Sequence, residues 1–376
     1  MKKSKLVIVG AFPFMRSDFK ENTFFGGILT SSEIIIKSDI FKYYEMILID
    51  SSHNSHPLPT LLNRSYKAIK RILTLIYELI CSKPDAALIF ASDGKSALEK
   101  GLMIVLCNLF RTKVLIFPRA GNLIKQTSES LIFLGFIKFM FKRSSMFLCQ
   151  GPKWADYASN ILKIDQSNIL IIKNWTATED LIKIGEEKHY NNKEEIKILF
   201  VGWLEDFKGV YELLNAAEMI FDLDKNISLT FVGNGTAMEP AKRFVKNKRL
   251  DGFVKFLGWR SGKDLYDCYE NNNVFILPSW SEGLPNAVIE AMAAGLAVIT
   301  TKVGTIPEVF TNNENSILIE PKNENEIFQS IKRLTINHDL RIKISKNGHI
   351  FSKYNFSSTQ TLKLLDRTIQ EIIKKG

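Results

Sequence analysis

Glu282 and Glu290 stand with seven residues between them in the stretch Pro278-Ser279-Trp280-Ser281-Glu282-Gly283-Leu284-Pro285-Asn286-Ala287-Val288-Ile289-Glu290. The apolar run before it, Val274 to Leu277, reads as a buried strand, and Ala291-Met292-Ala293-Ala294-Gly295 after it reads as helix closed by a glycine. A strand, a loop carrying Gly and Pro, and a helix start bring backbone N–H groups to the carboxyl end of a sheet. Open α/β sheets bind ligands at that edge, and a helix N-terminus there favours phosphate. Glu282 falls in the loop and Glu290 early in the helix, so both can face one ligand. Taken alone, the two also fit solvated acids near a helix start, where acids are common.

Other loops repeat the pattern. The strand Ile196 to Val201 leads into Gly202-Trp203-Leu204-Glu205-Asp206-Phe207-Lys208-Gly209, a turn with one cation, and Leu229 to Val232 leads into Gly233-Asn234-Gly235. Val254-Lys255-Phe256-Leu257-Gly258 is followed by Trp259-Arg260, and Gly304-Thr305 forms one more short loop. In the first half, strands are expected at Lys5 to Val9, Glu45 to Asp50, Ala86 to Phe90 and Lys113 to Phe117, with helical pattern such as Ser96 to Phe110 between them. Alternation of that kind builds a parallel, doubly wound sheet. The pair Gly26-Gly27 lies soon after the first strand and opens a helix, so backbone there can approach a phosphate or sugar closely, although a plain turn also fits. Ile169 to Ile172 reads as a strand, and the charged segment Glu179 to Glu195 reads as a linker into a second domain.

The block Glu-Gly-Leu-Pro-Asn-Ala-Val-Ile-Glu, residues 282 to 290, resembles the E-x7-E motif of retaining glycosyltransferases of family 4. The resemblance implies an α/β fold of GT-B type, two Rossmann-like doubly wound domains facing a central cleft. It places an acceptor domain at residues 1–178 with a return helix at 355–376, the linker at 179–195, and a nucleotide-sugar-binding domain at 196–354. It covers essentially the whole chain, strongly from Phe200 onward. The implied reaction is transfer from a nucleotide sugar, UDP- or GDP-linked, with retention and with neither cofactor nor metal. Glu282 would then contact the sugar's hydroxyls and Glu290 those of the ribose. Lys208, in the turn opened by Gly202, would neutralise the diphosphate together with the backbone of Gly283 and Leu284 and the helix start at Pro285 and Asn286. Gly26, Gly27, Gly233 and Gly235 would line the donor loops, and Trp259 and Arg260 would meet the base.

Two departures stand out. Trp203 occupies the place of an Arg that the family uses beside the lysine. Arg119, after the fourth strand, is the expected substitute, with a structural salt bridge as its alternative role. The family's frequent histidine after that strand is also missing, since the segment reads Phe117-Pro118-Arg119-Ala120-Gly121-Asn122. His53 and His56 fall in a loop whose solvated-turn reading is favoured over metal ligation.

Composition limits the alternatives. A chain of 376 residues, 45% hydrophobic and 24% charged, can bury two cores. Fifty Lys and Arg against 40 Asp and Glu give a net charge of +10, which suits anionic partners. No recognised nucleic-acid module accompanies it. No apolar run reaches the roughly 18 to 20 residues of a bilayer span, and the basic-then-apolar start Met1 to Gly10 reads as a first strand rather than a signal peptide. Cys81, Cys107, Cys149 and Cys268 are scattered and read as reduced core thiols of a cytoplasmic protein. Asp222-Leu223-Asp224 has the letters of a metal motif but reads as a solvated turn, so no metal site is expected. Two basic helical stretches, Arg64 to Arg71 running into Ile72 to Ile80, and Leu131 to Phe141 with Lys138, Lys142 and Arg143, fit either an anionic membrane surface or ordinary solvated helix edges. The expectation is a cytoplasmic transferase, at the inner membrane face if those helices bind it. Its acceptor would be a glycan or lipid-linked sugar, and the Ile-, Lys- and Asn-rich composition points by association to bacterial surface polysaccharide. A sugar-nucleotide epimerase of the same architecture and a non-catalytic nucleotide-sugar-binding subunit remain alternatives.

Overall fold

The computed structural model describes residues 3–15, 26–52, 60–119, 122–189, 195–223 and 226–375. The turn with His53 and His56, the loop residues Asn22 to Phe25, Ala120, Gly121 and Asp224 lie outside that set. The chain divides into two units, residues 1–175 with 359–376, and residues 176–358.

In the first unit, β1 (Lys5–Gly10) is followed by α1 (Gly27–Lys37), β2 (Glu45–Asp50), α2 (Leu61–Cys81), β3 (Ala86–Ala91), α3 (Gly94–Leu109) and β4 (Lys113–Pro118). Next come α4 (Asn122–Glu129), α5 (Leu131–Phe141), β5 (Met146–Cys149), α6 (Pro152–Asp156) and β6 (Ile169–Ile171). The six strands are parallel in the order β2-β1-β3-β4-β5-β6. Because the strands are covered on both faces, β1 and β3 are continuous apolar runs rather than alternating ones. Val7, Val9, Ala87 and Ile89 face a core shared with Leu75, Met103, Ile104 and Phe141. Leu6, Ile8, Leu88 and Phe90 face another that contains Ile35, Phe41, Trp175 and the C-terminal residues Leu362, Leu365 and Ile369. Chain order reverses at β1, which pairs β2 on one side and β3 on the other, giving the crevice at the strands' carboxyl ends where ligands bind in such sheets.

The second unit opens with α7 (Glu179–Glu186), where the sequence suggested linker. Leu181 and Ile182 are buried in this unit's core, and the Thr178 side chain caps the helix by accepting from the Leu181 N–H. The high charge of the segment masks that apolar stripe. The helix is followed by β7 (Ile196–Val201), α8 (Val210–Leu223), β8 (Ile227–Val232), α9 (Met238–Asn247), β9 (Val254–Gly258), α10 (Gly262–Glu270) and β10 (Val274–Leu277). Then come α11 (Asn286–Ala293), β11 (Ala297–Thr301), α12 (Ile306–Val309), β12 (Ile317–Ile319), α13 (Glu324–Ile336) and α14 (His338–Phe356). This sheet is also parallel, in the order β12-β11-β10-β7-β8-β9, and reverses between β7 and β10. The last helix, α15 (Ser358–Lys374), belongs to the first unit. Residues 355 and 356, expected to begin it, instead finish α14. Cys107 and Cys149 are core thiols as expected, but Cys81 is exposed at the end of α2 and Cys268 is half-buried.

Candidate active site

The carboxyl edge of the second sheet is where the predicted residues gather. The strand order sets the loops after β11, β10, β7 and β8 side by side, and they touch backbone to backbone. The Trp280 N–H donates to the Phe207 carbonyl at 2.8 Å, and the Leu204 N–H donates to the Asn234 carbonyl at 3.0 Å. Gly233, at φ 135°, lies against the Gly202 carbonyl, and Gly304, at φ 58°, lies against the Glu282 carbonyl. A Cβ on either glycine would sit 1.9 Å from the facing oxygen, so no other residue fits without moving a loop. Gly235 is packed against the Leu204 carbonyl, where a Cβ would sit 2.2 Å from the oxygen. Side chains complete the ties: Glu205 accepts from the N–H and hydroxyl of Thr236, Thr305 donates to the Gly283 carbonyl at 3.1 Å, and Thr301 donates to the Ser279 carbonyl at 2.6 Å.

These ties bring Lys208 and Glu282 together from loops 74 residues apart. Lys208 Nζ donates to Glu282 Oε1 at 2.5 Å, and Ser279 Oγ donates to the same oxygen at 2.7 Å. The two charged side chains are 17% and 10% exposed. A cation and an anion so placed screen each other's charge while staying open at one face. Glu290, on the second turn of α11, is 8% exposed. Its Oε2 accepts from the Tyr269 hydroxyl at 2.9 Å. Burial pushes the Glu290 carboxyl up to about 7, against the lowering effect of that hydrogen bond. The Tyr269 hydroxyl is itself pushed well up by burial and by the neighbouring carboxylate. Pro285 forms the N-cap of α11 and Asn286 its first residue, with Gly283 half-buried and Leu284 buried just before them. Trp259 and Arg260 follow β9 and are half-buried; Arg260 Nη1 donates to the Trp259 carbonyl at 3.0 Å.

In the first unit, Gly26 is the N-cap of α1 at φ 128°, with open space where a Cβ would go, and Gly27 is the first helical residue. Arg119 follows β4 at the carboxyl edge. Its guanidinium lies 4.9 Å from the Phe117 ring centre and 5.5 Å from that of Trp175, and Nη2 donates to Ser31 Oγ at 3.2 Å. Among the described residues no carboxylate pairs with it, and its buried Nη1 has no hydrogen-bond partner. Burial pushes Arg119 down to about 10. His349, one of three described histidines, is buried with Nδ1 2.7 Å from the Ala293 carbonyl, at the far end of α11 from Glu282.

Sequence reasoning missed Tyr269 and Ser279 as partners of the two glutamates, and Ser31 and Trp175 as the seat of Arg119. Ser279 lies inside the block and three residues before Glu282, so a loop hydrogen bond was foreseeable. Tyr269 lies on α10, 21 residues before Glu290, and nothing in its own neighbourhood marks it.

Both units are parallel Rossmann-like sheets, and the fold is that of GT-B proteins. Sucrose-phosphate synthase from Thermosynechococcus elongatus superposes with a TM-score of 0.72 at 16% identity, over 100% of each chain. The Anabaena protein HepE, solved in complex with UDP and glucose, gives 0.68 at 14% identity, over 98% of this chain and 99% of that one. Residues 183–350, most of the second unit, match the family described as Glycosyl transferases group 1. An uncharacterized glycosyltransferase of Methanocaldococcus jannaschii is 30% identical over 58% of this chain, and the match spans 57% of that relative's length. Two further relatives of this kind are spanned over 60% and 51% of their lengths. The N,N'-diacetylbacillosaminyl-diphospho-undecaprenol alpha-1,3-N-acetylgalactosaminyltransferase of Campylobacter jejuni is 26% identical over 67% of both chains.

Proposed function

We propose that this chain is a retaining glycosyltransferase that moves a sugar from a UDP- or GDP-linked donor to a glycan or lipid-linked acceptor in the cytoplasm. The observation that carries this reading is the Lys208–Glu282 pair, held at a carboxyl sheet edge by four loops packed backbone to backbone. Relatives whose names state a role in capsular polysaccharide biosynthesis, teichuronic acid biosynthesis and transfer to a diphospho-undecaprenol sugar support surface polysaccharide as the setting.

In the reaction, the bond from the anomeric carbon to the diphosphate oxygen breaks while the acceptor oxygen bonds to the same face of that carbon. The acceptor's proton passes to a leaving phosphate oxygen. Negative charge grows on the diphosphate, so a cation aimed at it stabilises the transition state more than the ground state. Lys208 fills that role, and the Gly283 and Leu284 backbone with the α11 N-terminus adds to it. The arriving diphosphate competes with Glu282 for the Lys208 ammonium, and Glu282 is then released to accept hydrogen bonds from the sugar's hydroxyls. Ionised Glu290 accepts two ribose hydroxyls at once. Trp259 and Arg260 meet the base, and Gly202, Gly233 and Gly235 let backbone approach the donor. In the first unit, the buried Arg119 Nη1, with neither a hydrogen-bond acceptor nor a carboxylate partner among the described residues, supports an anion as the ligand of this side chain, proposed to stand in for the cation missing at Trp203. No metal is needed in this scheme.

The test is release of free nucleotide from a panel of UDP- and GDP-sugars, with Glu290→Ala and Lys208→Ala as controls. Slow hydrolysis of one donor, lost in both variants, supports transfer. Tight nucleotide binding without release, with or without added acceptors, favours a binding-only subunit, the reading that Trp203 suggests. Conversion of the donor to an epimer without acceptor would replace transfer with epimerisation.

A further inference from the structure

The α2–α3–α5 layer of the first unit has an apolar outer surface that the fold does not use. On α2, Leu62, Tyr66, Ile69, Leu73, Tyr77 and Ile80 are each 53 to 85% exposed. At 3.6 residues per turn these six side chains fall within an arc of about 80° along the whole helix. The core side of the same helix is separate, with Leu75 and Leu79 buried against the sheet. So α2 is apolar on two faces, one for the core and one for something outside the chain. On the far side of α3, α5 repeats this: Ile137, Met140 and Phe141 are buried, while Leu131, Ile132, Phe136 and Phe139 are exposed. Leu109 and Phe110, at the end of the intervening α3, are exposed as well. A soluble chain seldom leaves such a continuous apolar surface uncovered.

Charge identifies the cover. Helices α2, α3 and α5 carry seven Lys and Arg against two Glu, and two of the seven, Arg71 and the buried Lys100, are paired with Glu99. Both glutamates are already engaged: Glu99 accepts from Arg71 at 2.6 and 2.9 Å, and Glu78 accepts from the Ser82 hydroxyl at 2.5 Å. Lys67 and Lys70 lie along one side of the α2 stripe, and Lys142 and Arg143 follow α5, with the Arg143 guanidinium 3.6 Å from the Phe139 ring centre. A second copy of the chain is a poor occupant, because a two-fold pairing sets this patch on itself and opposes its own cations. An apolar stripe bordered by cations matches the interface of an anionic bilayer, with the side chains at the acyl boundary and the ammonium groups at the phosphates. We propose that the α2–α5 face is a docking surface for anionic phospholipid. The inference stands on the first unit alone and does not depend on the transfer reaction.

The experiment is co-sedimentation of the full chain with vesicles of phosphatidylcholine alone, or of phosphatidylcholine and phosphatidylglycerol in equal parts. Binding is expected only to the mixed vesicles and should weaken as salt is raised. The double variant Leu73→Ser with Tyr77→Ser should lower the partition coefficient by about tenfold or more. Lys67→Glu with Lys70→Glu should lower it by about tenfold on the mixed vesicles. Unchanged thermal midpoints show that the variants fold, since all four side chains point away from the core or lie at its rim. The proposal is overturned if the parent chain stays in the supernatant with mixed vesicles, or if both variants bind as the parent does. It is also overturned if light scattering finds a dimer that Leu73→Ser with Tyr77→Ser dissociates.

Discussion

Lys208 and Glu282 hold each other in the structure, and the consequences of removing one are asymmetric. Lys208→Ala leaves the glutamate with the Ser279 hydroxyl and removes the cation proposed to meet the leaving group. Donor turnover should fall by about a hundredfold or more, as removal of a preorganised transition-state partner does, measured as nucleotide release. Glu290 adds a pH dependence whose sign is fixed by its environment. Its carboxyl is raised from 4.5 to about 7 by burial, so the folded chain binds that proton more tightly than the unfolded one. Its contribution to stability is therefore full below about 4.5, is lost as pH climbs through about 7, and amounts to something on the order of 3 kcal/mol. Glu290→Gln should melt at a higher temperature than the parent at about pH 8 and show a smaller difference at about pH 5. Donor binding should run the other way in the parent, tightening as pH rises through about 7 because the ionised carboxylate accepts both ribose hydroxyls. A titration calorimetry series with UDP and GDP that is flat across that range in the parent would refute the ribose role. Glu282, Glu290 and Lys208 were all legible from their residue types and their places after apolar strands. Their partners were not, because α10, which carries Tyr269, and α11 are brought together only in the tertiary structure, each packed on α7.

At the scale of elements, the site depends on loops that approach more closely than side chains allow. Gly304→Ala would put a methyl group 1.9 Å from the Glu282 carbonyl at φ 58°, and the loop after β10 would have to move. The variant should lose about 2 kcal/mol or more of stability and weaken donor binding through displacement of Glu282, seen by thermal melting and KM together. The longer strands were readable as apolar runs, and β10 with the helix start after it was readable as the ligand-facing turn. Strands β5, β11 and β12 were not singled out. The segment 179–195 misled for a different reason: its charges sit on the solvent side of α7, and the apolar residues between them are few.

At the scale of the molecule, the C-terminal helix returns to the first unit's sheet. Leu362, Leu365 and Ile369 are buried with Leu6, Ile8 and Phe41, and the Tyr44 hydroxyl donates to Asp366 Oδ1 at 2.7 Å, across 322 residues of sequence. Leu365→Ala should cost the first unit about 2 to 5 kcal/mol. In calorimetry the transition of that unit should move down while any separate transition of residues 176–358 stays in place. A uniform shift of one cooperative transition would mean instead that the two units unfold together.

The order of strands and helices, the parallel sheets they imply and the identity of the charged residues at the loop ends follow from the sequence, because apolar periodicity and glycine placement act over a few residues at a time. Tertiary structure alone decided which loops became neighbours, and so that Lys208 meets Glu282, that Tyr269 meets Glu290, and that Arg119 settles against Ser31 and Trp175. It also decided that one apolar face of α2 turns inward and the other outward. The sequence holds apolar residues on both faces of that helix; only packing against the sheet determines that Leu75 and Leu79 turn inward while the face with Tyr66 and Tyr77 is left for a partner.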